Sequence, residues 1–195
     1  MKQTKQTEPH ESLASFALER MDGEAAVQAA SAFKLIYAEA FAGPPYDESE
    51  DDVDAAFRRF PAQAGKRGFR AVLARTGDGE PVGMGYGHLL GPDTVWWDEL
   101  TVPVPEDMRR EDGRRTFGLM ELAVRGTWRG RGFARRLHTT LLDGIDAERV
   151  LLNVHPASGA APTAYRSWGY RKIGQARPGG QAAVALHDVM LLDLR

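Results

Sequence analysis

The sequence predicts an α/β (α+β) fold in a single domain, on three observations. Hydrophobic spacing switches repeatedly between the helical and the strand period along the chain. Two strand-like runs flank the turn Gly77-Asp78-Gly79, a hairpin signal. The length, 195 residues, and the hydrophobic fraction, 43%, suit one core, and no repeat or second unit is visible. Residues 1–11 are polar and read as a disordered tail, which leaves 12–195 as the domain.

The elements follow in order. Residues 12–21 alternate weakly and predict a first strand, after which Asp22 offers a helix cap. Over 24–41 apolar residues recur every three and four positions, which predicts one amphipathic helix ended by Gly43-Pro44-Pro45. The acidic run 47–54 reads as the solvated start of a second helix, favoured by the helix dipole and closed by Pro61. Residues 69–75 and 81–90 form the hairpin. Residues 91–116 read as an extended strand carrying Trp96 and Trp97, followed by a loop. An apolar strand at 117–124 and a Gly/Arg loop lead into a helix over 133–145. A strand at 150–154, a short helix at 160–168 and closing strands at 170–174 and 183–194 complete the order.

Composition narrows the functions. No cysteine is present, which excludes a disulfide framework, a thiolate zinc site, an iron–sulfur cluster and a cysteine nucleophile. No pair of histidines and carboxylates has metal-ligand spacing, so no metal is expected. A net charge of -2 argues against a generally basic nucleic-acid binder, although Arg109, Arg110, Arg114 and Arg115 keep that reading open; Glu111 and Asp112 count against it. No apolar run spans a membrane. A cytoplasmic protein of bacterial type, with no membrane or nucleic-acid partner, is expected.

The informative stretch is Leu122-Ala123-Val124-Arg125-Gly126-Thr127-Trp128-Arg129-Gly130-Arg131-Gly132-Phe133-Ala134-Arg135-Arg136. Gly130 and Gly132 let backbone amides approach a ligand, and a helix opening at Phe133 aims its free N–H groups into the same space. Five arginines without an acid among them mark an anion site, and a diphosphate suits it. A tight strand–helix turn with solvated arginines is the plainer alternative.

Arg129-x-x-Gly132-x-Ala134 resembles the Arg/Gln-x-x-Gly-x-Gly/Ala signature of the GNAT N-acetyltransferase superfamily. Leu152-Asn153-Val154 and the segment Ala161, Tyr165, Gly169, Tyr170 resemble that family's fifth strand and the helix after it. The chain departs at Ser158, where Asn is common, and at Gly126, where Pro is common. The resemblance implies a mixed, mostly antiparallel sheet of six to seven strands flanked by about four helices, with the fourth and fifth strands splayed. It implies acetyl-CoA as cosubstrate, held by Leu122, Ala123, Val124, Arg129, Gly130, Arg131, Gly132, Phe133, Ala134, Arg135, Ser158 and Tyr165, with Arg129 and Arg131 closing over the diphosphate. The acceptor is a small-molecule or peptide amine that attacks directly in a ternary complex. Tyr165 stands at the general-acid position, with a packing tyrosine as the alternative. Glu121 is the candidate base or amine binder, with a salt bridge to an arginine as its alternative; Asp98 and Glu99 come second. Tyr37, Phe41, Tyr46, Trp96 and Trp97 are nominated for the acceptor pocket, with Trp96 and Trp97 on opposite faces of a strand. His88 and His155 read as packed strand histidines. The family often dimerises, so a homodimer is an expected assembly. A non-catalytic acyl-CoA-binding regulatory domain is the alternative function.

Overall fold

The computed structural model describes residues 16–177 and 185–195. The expected tail at 1–11, the start of the first strand at 12–15 and part of the last connection lie outside the described residues. The chain runs β1 (Ala17–Met21), α1 (Gly23–Gln28), α2 (Ala30–Phe41), α3 (Glu50–Ala64), β2 (Arg70–Arg75), β3 (Pro81–Leu89), α4 (Glu106–Arg109), β4 (Thr116–Val124), α5 (Phe133–Leu142), β5 (Arg149–Val154), α6 (Ala161–Ser167), β6 (Arg171–Ala176) and β7 (His187–Asp193). The strands form one seven-stranded sheet in the order β1-β2-β3-β4-β5-β7-β6. Every neighbouring pair is antiparallel except β4–β5, which is parallel.

Period-two alternation sorts each strand between two apolar layers. Val72 and Ala74 of β2 face Leu137 and Leu141 of α5, in a cluster with Phe117 and Val150. Ala71 and Leu73 face the opposite way, onto Phe33 and Ile36 of α2 and Phe60 of α3. The helices start where capping chemistry allows. The Asp22 carboxylate accepts from the Ala25 amide at 2.9 Å. Ser49 and Asp52 close a reciprocal capping box at the head of α3.

Four expectations are corrected. The helix expected over 24–41 breaks at Ala29, so α1 packs on α3 and β1 while α2 packs on the sheet centre. No glycine or proline marks this break; it is a packing outcome, with Gly23 lying tight against the Ala64 carbonyl. Pro61 does not close α3, which runs on to Ala64. Proline removes one ladder bond, and buried Phe60 and Ala64 hold the last turn against the core. Ahead of β4, residues 91–115 hold no extended strand; β-pairing there is confined to the bridge Leu100–Ala176 and helix is confined to α4. A buried network pins this excursion instead. Glu111 Oε1 accepts from Trp97 Nε1 (3.0 Å), Thr116 Oγ1 (2.7 Å) and Arg149 Nη2 (3.0 Å). With α1, α2 and α4 counted apart, six helices flank the sheet among the described residues, where about four were expected.

Candidate active site

The site grows from one irregularity in the sheet. β4 and β5 pair only at Thr116–Arg149, Phe117–Val150 and Gly118–Leu151. Beyond Gly118 no further β4–β5 pair forms, while β5 stays paired with β7 along its full length. The amide of Arg125 donates to the Val82 carbonyl at 3.0 Å, so the adjacent Gly83–Val124 pair and the Gly85–Leu122 pair are the non-hydrogen-bonded kind. The backbone polar groups of Leu122 and Val124 therefore turn away from β3, toward the space that β5 has left.

A bulge sets the side chains of β4. The register with β3 slips between Tyr86–Glu121 and Gly87–Leu119, leaving Met120 as the extra residue. Strict alternation from Phe117 and Leu119 would send Glu121 into the α5 layer. The extra residue changes the phase, so Leu122 and Val124 pack toward α5 while Glu121 faces the α2–α3 side.

Below the gap lies a cavity of about 570 Å³ lined by the β4 end, the Gly/Arg loop, the head of α5 and the turn before α6. Of the nominated residues it takes in Leu122, Ala123, Val124, Arg129, Gly130, Gly132, Phe133, Ala134, Arg135 and Ser158. A single 3₁₀ turn (Gly126–Trp128) begins the loop, and Gly130 and Gly132 hold left-handed φ values of 75° and 80°. Gly132 is the N-cap of α5 and supplies no side-chain cap, so the first helical amides, Phe133 to Arg135, lack an intrahelical partner. The Phe133 ring itself is buried against Phe16 and Trp128. The Ser158 hydroxyl is buried and finds no well-formed hydrogen bond, although Tyr46 approaches it. Free amides at a helix head beside an orphaned hydroxyl fit a phosphorylated ligand.

The arginines divide differently from the sequence reading. Arg125 pairs with Glu39 and Glu80, each at 2.5 Å. Arg129 does not close over the cavity: its Nε donates to the Val124 carbonyl at 2.9 Å and its Nη2 to the Ala40 carbonyl at 3.0 Å, tying the loop to the end of α2. Arg131 lies over the Trp128 ring at 5.0 Å and is not part of the cavity lining. Arg135 is exposed at the cavity edge. Long-range acids and orphan carbonyls, invisible in a local window, account for these assignments. Away from the loop, Arg109 pairs with Asp98, Arg110 with Asp107, and Arg115 with Glu148.

A second cavity, about 790 Å³, opens on the α2–α3 side. Phe41, Tyr46, Leu122 and Ala161 line both cavities and form the junction between them. Glu121 and Tyr165 stand in the second cavity close to that junction. Burial, with the negative charge of Glu48 second, pushes the Glu121 carboxyl up to about 8. Tyr165 is buried with edge-on contacts to Trp168 and Tyr170 at 5.3 and 5.4 Å, and burial, followed by the charge of Glu121, raises its pKa and keeps the phenol protonated.

Tyr37, Phe41, Tyr46 and Trp96 all line this cavity. Their rings run from Tyr37 to Phe41 (4.5 Å) to Tyr46 (4.8 Å), and Trp96 Nε1 donates to Asn153 Oδ1 at 3.1 Å. Trp97 does not join them: it is buried beneath Arg149 and bonded to Glu111. The two tryptophans do diverge, but from a turn rather than a strand. His88 is buried between the Leu89 carbonyl (3.0 Å) and Gln63 (3.1 Å), and burial lowers its pKa. His155 accepts from its own loop amide, Ala157, at 3.1 Å. Glu99 reaches the cavity wall, whereas Asp98 is turned to Arg109.

Glu48 escaped the sequence reading, which placed it in a solvated helix start. Its Oε1 accepts from the Tyr37 hydroxyl at 2.9 Å, its Oε2 is buried without a partner, and burial raises its pKa. The overlooked signal is the capping box Ser49-x-x-Asp52, which puts the helix start after Glu48 and leaves that residue beside Tyr46.

No protein-family model and no curated protein sequence matches the chain. Solved structures do. YncA, a putative acetyltransferase from Salmonella typhimurium solved with acetyl-CoA, is 16% identical with a TM-score of 0.62, over 93% of this chain and 95% of that one. The ribosomal-protein-S18-alanine N-acetyltransferase from Escherichia coli is 17% identical with a TM-score of 0.59, over 92% and 94%. The PaiA N-acetyltransferase from Thermoplasma acidophilum, solved with coenzyme A, is 10% identical with a TM-score of 0.57, over 92% and 99%. With its parted fourth and fifth strands and seven-stranded sheet, this chain has the fold of the GNAT acetyltransferases.

Proposed function

We propose that the chain is an acetyl-CoA-dependent N-acetyltransferase acting on a primary amine. The observation that carries this reading is the junction of two cavities at the parted strands. One cavity has free helix-head amides for a diphosphate, and the other holds a carboxyl and a phenol with raised pKa values. The resemblance of the loop signature, the acetyl-CoA bound to YncA and the coenzyme A bound to PaiA support it.

Acetyl-CoA supplies the acyl thioester. The amides of Phe133, Ala134 and Arg135 would hold its diphosphate, with Ser158 beside them and the outward backbone groups of Leu122 and the Val124 amide along its arm. An alkylamine enters as ammonium, with an ordinary pKa near 10.4. Glu121 takes its proton, and the nitrogen lone pair then forms the bond to the acetyl carbonyl carbon. The carbon–sulfur bond breaks, Tyr165 gives its proton to the leaving sulfur, and the second proton of the attacking nitrogen passes to the Tyr165 phenolate, which leaves a neutral amide, the CoA thiol and a protonated Glu121 that returns its proton to solvent. The Val124 amide is placed to donate to the carbonyl oxygen as charge grows there; one such donor contributes about 3 kcal/mol in other enzymes.

The test is calorimetric titration with acetyl-CoA, followed by CoA-thiol release across an amine panel. Saturable binding with release supports the reading. Absence of binding at millimolar acetyl-CoA overturns it, and binding without release from any amine favours the acyl-CoA-sensing alternative.

A further inference from the structure

The second cavity is electrically polarised along its length. At the junction end stand Glu121 and Glu48, close enough for the Glu48 charge to act on the Glu121 carboxyl. The Glu121 side chain makes no hydrogen bond or ion pair among the described residues, and Glu48 Oε2 is buried without one. Glu48 has Arg59 near it, whereas no cation among the described residues acts on Glu121, so the ionised Glu121 carboxylate calls for a cation from outside the chain.

The far end, at Lys66 beside His88, has the opposite sign. Arg59, Gln63 and Lys66 face the cavity at spacings of four and three along α3 and its exit. Arg59 to Lys66 covers roughly 10 Å of helical rise, leading away from the Glu48 end. Neither Arg59 nor Lys66 makes a side-chain hydrogen bond or ion pair among the described residues; Arg59 lies near Glu48, and Lys66 lies beside His88. Apolar Leu90 and Leu119 line the cavity along with these charged groups.

We propose that the acceptor is an amino acid, an amine that also carries a carboxylate, with its ammonium at Glu121 and Glu48 and its carboxylate at the Lys66 end. A simple alkylamine satisfies one end and leaves Lys66 unmatched. A dication would place its second charge against Lys66 and Arg59. A zwitterion with an apolar spacer matches the cavity at both ends.

This inference rests on the acetyltransferase reading, and its test separates the two. Calorimetry with acetyl-CoA comes first: without binding, the transferase reading itself falls. With binding established, CoA release is measured for α- and ω-amino acids, each paired with the amine that lacks its carboxylate. In at least one pair, kcat/KM is expected to favour the amino acid by roughly tenfold or more. Lys66→Glu, at an exposed position, is expected to reverse the order of that pair while still binding acetyl-CoA. Equal or inverse preference in the unmodified protein, an order that Lys66→Glu leaves in place, or acetyl-CoA binding without turnover of any pair each overturns the amino-acid assignment.

Discussion

Glu121 is the residue whose environment says most about the chemistry. Its folded-state pKa of about 8 stands above the ordinary 4.5, because burial and Glu48 both oppose the charged form. The base is the unprotonated form, so kcat/KM is expected to rise with pH and level off above about 8. Glu121→Gln is expected to lower kcat by about 10²–10⁴ and to flatten that limb, with acetyl-CoA affinity retained by calorimetry. The same shift sets a stability slope. Between pH 4.5 and about 8 the folded protein keeps a proton on Glu121 that the unfolded chain has lost, so stability falls as pH rises through that window. Denaturant melts should show the Glu121→Gln variant gaining on the unmodified protein across it. Tyr165→Phe tests the other proton: it removes only the hydroxyl, so kcat should fall by about 10²-fold while the melting temperature hardly moves. A variant with unimpaired turnover would make Tyr165 a packing residue. Both residues were singled out from the sequence through the family resemblance, Glu121 as an acid on the fourth strand and Tyr165 by its match to the family's tyrosine. Alternation against Leu122 and Val124 sets Glu121 on the opposite face, toward the cleft, whereas the bulge at Met120, which breaks the alternation with Phe117 and Leu119, is a property of strand pairing.

Among the elements, β3, β4 and the loop before α5 carry the site. β3 lies so close to β4 that a Cβ at Gly87 would sit 2.3 Å from the Gly118 carbonyl oxygen and 2.6 Å from the Phe117 ring. Backbone cannot swing aside as a side chain can, so Gly87→Ala should cost about 2–3 kcal/mol or more in denaturant unfolding. Gly132 presents the opposite case. Space around it is open, but φ is 80°, so Gly132→Ala meets only the left-handed backbone penalty, about 1–2 kcal/mol. Because Gly132 heads α5, that variant should also bind acetyl-CoA more weakly in calorimetry, an effect Gly79→Ala, in the distant hairpin turn, should not share. Most elements were legible, since burial on one face imposes its period on the residues. The break at Ala29 and the continuation through Pro61 were not, because contacts with other elements outweighed local propensity there.

Across the whole molecule, the parted strands leave unmatched backbone that a ligand can complete. Saturating acetyl-CoA, at about 100 times its dissociation constant, should stabilise the fold by about 2.7 kcal/mol, read as a rise in melting temperature. The sequence by itself determined the order of strands and helices, the glycine-rich turn into α5 and the aromatic residues available to the cleft. Those features follow from periodicity and from backbone freedoms that belong to single residues. Only the tertiary structure decided where β4 and β5 separate, that Arg125 and Arg129 serve the scaffold, that Trp97 is buried and that Glu48 joins Glu121. Each of these involves a partner outside the local run of sequence, such as Ala40 for Arg129 and Glu39 for Arg125. A charge is bound or free according to which acid or carbonyl folding brings beside it, and no local window contains that information.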